Sequence, residues 1–274
     1  MIERMADIAE QIVIPGRFPV EAFPVLRYLP SWFPGGGFKR WAADGKRDML
    51  RTVDALFESS ESVTSNIMMR AFFLAMALYP EAQKKAQKEL DAVVGVERLP
   101  DFSDRPSLPY VSALVKELLR WHPATPMGVP HRVLADDEYN GHIVPAGAII
   151  FVNIWDILRD PELYPQPDEF IPERFLDPTG NVDVRGRDPA DVAFGFGRRF
   201  CPGRHFADST LFILCASVLS AVEIGPPVGE DGVPMPVKRE ASDQYIFSHP
   251  KVYNYTIKPR SAHIEQLFKA AHKQ

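Results

Sequence analysis

The chain has 274 residues, 46% hydrophobic and 24% charged, enough for one large domain or two small ones with a sizeable core. A net charge of −5 argues against nucleic acid as a partner, because phosphate binding needs a basic surface. Two cysteines exclude a disulfide framework, and 26 prolines imply many turns and extended segments.

The opening stretch MIERMADIAE is charged and lacks the apolar segment of a secretory signal. Proline and aromatic residues dominate up to Phe38, which predicts extended segments and short helices, with Gly35-Gly36-Gly37 as a loop. No Lys-Ser or Lys-Thr follows those glycines, so they do not form a phosphate cradle. A largely buried helix is predicted from Glu61 to Tyr79, and its apolar run Ala71 to Tyr79 is about half of a membrane span. Pro80 opens an amphipathic helix that stops at Gly95. A third helix, Tyr110 to Trp121, ends before Pro123. Asn140-Gly141 then signals a hairpin between short β-prone runs. Tyr164 to Arg174 reads as irregular loop, and FGFGRRFCPG (Phe194 to Gly203) as a glycine-rich turn. A long apolar helix follows that turn, and the tail YIFSHPKVYNYTIKPR returns to strand. The fold class is α+β, predominantly helical.

Two constellations carry chemistry. Glu117 and Arg120 stand three apart and share a helix face. An exposed pair of this kind contributes under about 1 kcal/mol. Val115, Leu118 and Leu119 make the helix largely apolar, however, and charges in such surroundings need further partners to offset desolvation. Arg174, within PERF (Pro172 to Phe175), is the candidate. The other constellation centres on Cys201. Glycines let the backbone bend close to its sulfur, and the dipole of the following helix favours a thiolate. Arg199 adds a positive charge that can instead pair with a carboxylate on a bound group. The plain alternative is a small hydrophobe at a helix start, the reading that fits Cys215 in mid-helix. A cysteine hydrolase would need an oriented base, and His205 has no acid to orient it. Zinc would need three or four ligands at set spacing, and these are absent. A thiolate without companion ligands fits haem, which supplies its own four nitrogens.

At this point the chain resembles the cytochrome P-450 superfamily of haem-thiolate monooxygenases. Phe194, Gly197, Arg199, Cys201 and Gly203 match its F-x-x-G-x-R-x-C-x-G signature. Glu117 and Arg120 match its E-x-x-R, and PERF stands in the expected order between them and the cysteine. From Ala71 to Arg260 the chain is similar to fungal microsomal members. The resemblance implies a partial P-450 fold: one incomplete domain over 1–274, with an N-terminal remnant at 1–42, the central and following helix at 51–95, and the haem-binding region at 96–274. An N-terminal anchor, a β-sheet layer and a propionate-holding helix are expected to lie beyond it, and a further stretch to be lost between about Trp41 and Arg51. The same resemblance implies haem b (iron protoporphyrin IX) ligated by Cys201, with Arg199 and Arg132 as propionate partners. It also implies a buried triad of Glu117, Arg120 and Arg174.

The activity implied is insertion of one oxygen atom from O2 into a small apolar organic substrate, with electrons from NADPH through a reductase, in secondary metabolism. The endoplasmic reticulum membrane is the expected location, or the cytoplasm where the anchor is missing. Lys84, Lys85 and Lys88, with Arg198 and Arg204, read either as a basic docking face for the reductase or as a solvated surface. Pro126 to Val129 fall on the substrate side. The family's oxygen-activating A-G-x-D-T-T falls on Ser60 to Ser65. Thr64 keeps the proton-relaying hydroxyl, Val63 replaces the acid, and Glu61 replaces a glycine. Glu61 precedes Thr64 by one helical turn and reads as a substitute proton source or as a solvent-facing residue. The altered segment also suits a reductase-independent haem-thiolate enzyme, a peroxygenase or isomerase. A truncated, catalytically impaired fragment is the remaining alternative.

Overall fold

The computed structural model describes residues 63–95, 98–183, 185–230, 232–240, 246–251, 253–262 and 264. The chain divides into two compact units, one made of residues up to 66 with 129–151, the other of 67–128 with 152 onward.

The larger unit is built on helices whose ends are set by proline, glycine and borrowed side chains. Helix α1 (Val63–Leu78) buries Ile67, Met68, Ala71, Phe72, Leu74, Ala75 and Met76. Tyr79 leaves the helical region (φ −123°, ψ 66°) because Pro80 follows, and Pro80 opens α2 (Pro80–Val93). Helix α2 ends where Gly95 adopts φ +80° and donates its N–H to the Leu90 carbonyl. Its inward glutamines act as a strand edge. Gln83 both donates to the Ile224 carbonyl and accepts from the Ile224 N–H, each at 2.8 Å, and Gln87 donates to the Val222 carbonyl. Strand β5 (Val222–Gly225) thereby has partners on both sides, since β6 (Thr256–Pro259) pairs antiparallel with its other edge.

A 3₁₀ turn, Phe102–Ser107, is held by a reciprocal cap between Asp101 and Asp104 and leads into α3 (Pro109–Trp121). The first free N–H groups of α3, those of Tyr110 and Val111, donate to the Glu89 carboxylate on α2 at 2.8 and 2.9 Å. Helix α3 is buried along nearly its whole length. Short helices α4 (Ile154–Ile157) and α5 (Ala190–Ala193) pack Ile154 and Val192 with Ala113, Leu158, Tyr164 and Phe175. Helix α6 (Arg204–Ala221) sends Leu211, Phe212, Cys215, Ala216 and Leu219 into the main core. Burial pushes the Cys215 thiol up, which keeps it a protonated hydrophobe.

In the smaller unit, β1 (His131–Arg132) pairs antiparallel with β4 (Ile149–Ile150), and β2 (Asp137–Tyr139) with β3 (His142–Val144). The β2–β3 turn is Asn140-Gly141, both at positive φ (50° and 79°), as the sequence predicts for a tight hairpin. The predicted tail strand is shorter than expected. Among the described residues of the tail only Thr256–Pro259 is a strand, and Ser248 bonds to the end of α3 and the loop after it instead.

Candidate functional site

The structure brings Glu117, Arg120 and Arg174 together. Glu117 and Arg120 are both 0% exposed, one helical turn apart on α3, and meet through two bonds: Arg120 Nε to Glu117 Oε2 at 2.7 Å and Nη2 to Oε1 at 2.8 Å. Arg174 reaches the same carboxylate from the 3₁₀ turn Pro172–Phe175, with Nε 3.2 Å from Oε2, and the Ile171 N–H donates to Oε1 at 2.8 Å. Arg120 uses its remaining donors on the carbonyls of Leu158, Pro167 and Glu169, and Arg174 donates to that of Pro165. The stretch read as irregular loop is therefore wound around one buried guanidinium.

The end of α3 carries a second cationic node that sequence reasoning missed. Arg159 and Arg239 both donate to the Trp121 carbonyl, at 2.9 and 2.8 Å, where the helix dipole is negative. Arg159 stacks 3.4 Å over Trp155, and Arg239 lies over Trp121 and Trp155 at 4.5 and 4.9 Å. Burial, then the nearby Arg120 charge, lowers Arg159 to about 10. No sequence spacing announces this node, because its members come from segments far apart in the chain.

The cysteine turn is built differently. Gly195 (φ +82°) and Gly197 (φ +59°) take backbone conformations that side chains disfavour, and between them the chain reverses after α5. The Cys201 N–H then donates to the Phe194 carbonyl at 2.8 Å, and Gly203 caps α6 two residues on. Phe194 is half-buried and packs against the main core, while Gly197, Arg199 and Cys201 are exposed. A Cβ at Gly203 would stand 3.8 Å from Cys201 Sγ, so the glycine leaves that flank of the sulfur open. Arg204 lies over the exposed Phe200 ring at 4.7 Å. Among the described residues no cluster of three His, Cys, Asp or Glu could hold a metal ion. The donor set here is one accessible sulfur, which suits a metal group that brings its other ligands with it.

The remaining predicted residues fall elsewhere. Thr64 lies in the first turn of α1 and is exposed, whereas Glu61 lies outside the described residues. Arg132 is on β1 in the smaller unit, beside Gly147. Two of the three lysines are engaged: Lys84 pairs with Glu81 at 2.8 Å and Lys85 with Glu173 at 2.5 Å, while Lys88 makes no ion pair among the described residues. No helix among the described residues is long and apolar enough to cross a membrane.

Comparison with known proteins identifies the family. The cytochrome P450 family profile matches residues 46–254. Cytochrome P450 monooxygenase claR of Ampulloclitocybe clavipes is 41% identical over 93% of this chain and 54% of its own length. Cytochrome P450 monooxygenase COX2 of Coprinopsis cinerea is 41% identical over 93% of this chain and 57% of its own. A zebra fish cytochrome P450 solved with abiraterone superposes with a TM-score of 0.63 and 32% identity, over 72% of this chain and 45% of that one. The chain thus spans little more than half the length of these curated relatives. With a matching profile over most of its length and relatives 41% identical over 93% of it, the chain belongs to the cytochrome P450 family.

Proposed function

We propose that this chain forms the haem-binding region of a monooxygenase. The reaction inserts one oxygen atom of O2 into a small apolar organic substrate, with electrons from NADPH through a reductase. The observation that carries this reading is the exposed Cys201 sulfur, which forms no disulfide and sits on a turn set by two positive-φ glycines.

Cys201 ligates haem b as the thiolate, Arg199 and Arg132 pair with its carboxylates, and Phe194, Gly197 and Gly203 shape the turn. When bound, haem supplies the iron chemistry that activates O2. The chain's own part is to hold the sulfur at a fixed point, through the Cys201 N–H to Phe194 carbonyl bond and the two positive-φ glycines. The N-terminal dipole of α6 favours the thiolate. The Thr64 hydroxyl and Glu61 carboxylate move protons on the oxygen side, and Pro126 to Val129 face the substrate. Arg198 and the uncommitted Lys88 are the cations left for an acidic reductase, at the surface of the endoplasmic reticulum.

The test is spectroscopic. Protein expressed with haem, reduced and exposed to carbon monoxide gives the strongly red-shifted Soret band of a thiolate-ligated haem, and Cys201→Ala removes that band. An unshifted band, or the same band in the variant, overturns the assignment. Turnover supported by peroxide but not by NADPH and reductase identifies the reductase-independent alternative.

A further inference from the structure

His122 closes α3, is 2% exposed, and has its Nε2 2.6 Å from the carbonyl oxygen of Ser248. A carbonyl only accepts, so Nε2 carries a proton, and Nδ1, buried without a hydrogen-bond partner among the described residues, favours the neutral tautomer. The Ser248 N–H in turn donates to the Ala124 carbonyl at 2.9 Å. Backbone alone cannot supply the first of these bonds. The His122 N–H is already bonded to Leu118 within α3, and Pro123 has none. The imidazole provides the missing donor.

The far side of the same loop is also pinned. The Trp155 N–H on α4 donates to the Pro126 carbonyl at 2.9 Å. Gly128, at φ +59°, sits so close to Ile154 that a Cβ would approach its Cδ1 at 3.3 Å. Met127, 41% exposed, projects from a loop held on both sides.

We propose that His122 is a positioning residue: as a neutral donor it locks the Ile246–Pro250 segment to the Pro123–Gly128 loop and so fixes the wall that Met127 presents to substrate. The proposal rests on the reading above that this loop faces substrate. The surroundings keep the ring neutral. Burial, opposed by the Ser248 hydrogen bond and aided by the Arg159 and His249 charges, lowers its pKa to about 4, and His249 itself is lowered by burial and by Arg70 on α1. The acid in this neighbourhood, Asp168, stands 3.5 Å from Arg159 and 3.6 Å from Arg239.

Hydrogen exchange on the purified chain tests the lock directly. His122→Ala makes segments 123–128 and 246–250 exchange about tenfold faster, and His122→Gln, whose amide also donates, restores protection. Unchanged exchange in the alanine variant, or a glutamine variant no better than alanine, overturns the proposal. If the alanine variant fails to fold, His122→Phe decides, because it keeps a ring of similar size but has no donor: its two segments exchange about tenfold faster than those of His122→Gln. Equal protection in the phenylalanine and glutamine variants overturns the proposal. In haem-loaded protein the probes of the wall are imidazole and the bulkier 4-phenylimidazole. Their affinity ratio shifts about tenfold in His122→Ala and returns in His122→Gln, with the thiolate band intact. Faster exchange with an unchanged ratio makes His122 structural only and overturns the positioning role. Failure to bind haem at all removes the functional reading, and the positioning role with it, while exchange still judges the lock.

Discussion

Around Glu117 both carboxylate oxygens accept bonds from inside the fold, from Arg120, Arg174 and the Ile171 N–H. Around Cys201 the sulfur is exposed, and so are Arg198 and Arg199, neither of which forms an ion pair among the described residues. Each region holds two arginines, yet one is closed and the other open. A closed network of buried ions fixes geometry, since removing any member strands the others in low dielectric. An open set of one sulfur and two cations does little for the fold, and its complement must come from a bound group or partner. The difference separates what holds this protein together from what it offers to others.

Glu117→Gln gives the largest expected effect. The amide keeps the shape but leaves two buried guanidiniums without a counter-charge, which costs about 3–5 kcal/mol. Denaturant unfolding of the purified chain measures it. A loss below about 1 kcal/mol would mean that the network behaves like a surface ion pair, and the contrast with the cysteine turn would fail.

The next effect is a pH dependence from the buried end of α3. His122 titrates near 6.5 when unfolded and is lowered to about 4 in the fold by burial. Between those values the unfolded chain binds a proton that the folded chain refuses, so stability falls as pH drops through this window. At about 1.4 kcal/mol per pH unit the contribution is roughly 3 kcal/mol. Other groups titrate here too, so the measurement is the difference in slope between wild type and His122→Gln. Parallel slopes would show that the imidazole is not the titrating group.

Much of this architecture is legible in the sequence, for identifiable reasons. Pro80, Gly95 and Pro123 bracket α2 and α3 because their backbones leave few choices, and Asn140-Gly141 specifies its hairpin in the same way. The Glu117–Arg120 pair could be read because helical spacing places both on one face, and an apolar helix demands a third partner. What could not be read depends on contacts between distant segments. Helices α4 and α5 are too short to show periodicity. Gln83 looks like an ordinary surface amide until β5 is seen to need a neighbour. Lys85 reads as a docking or solvated surface cation because nothing local marks Glu173 as its partner, whereas the Glu81–Lys84 pair follows from ordinary i, i+3 spacing. His122 and Arg239 acquire their roles only when the C-terminal segments return to the end of α3.

The smallest effect on stability is expected at the residue with the most chemistry. Cys201→Ala keeps the Cβ, the N–H bond to Phe194 and both glycines, and removes only an exposed sulfur. No cavity forms, so haem-free protein should lose no more than about 0.5 kcal/mol. Cys215 is the internal control, because the same substitution takes a sulfur from the packed core of α6 and should cost about 1 kcal/mol or more. Denaturant curves of the two variants, recorded without haem, rank them. If Cys201→Ala proved the more damaging, the sulfur would be part of the framework, and its exposure could no longer be taken as the mark of a ligand position.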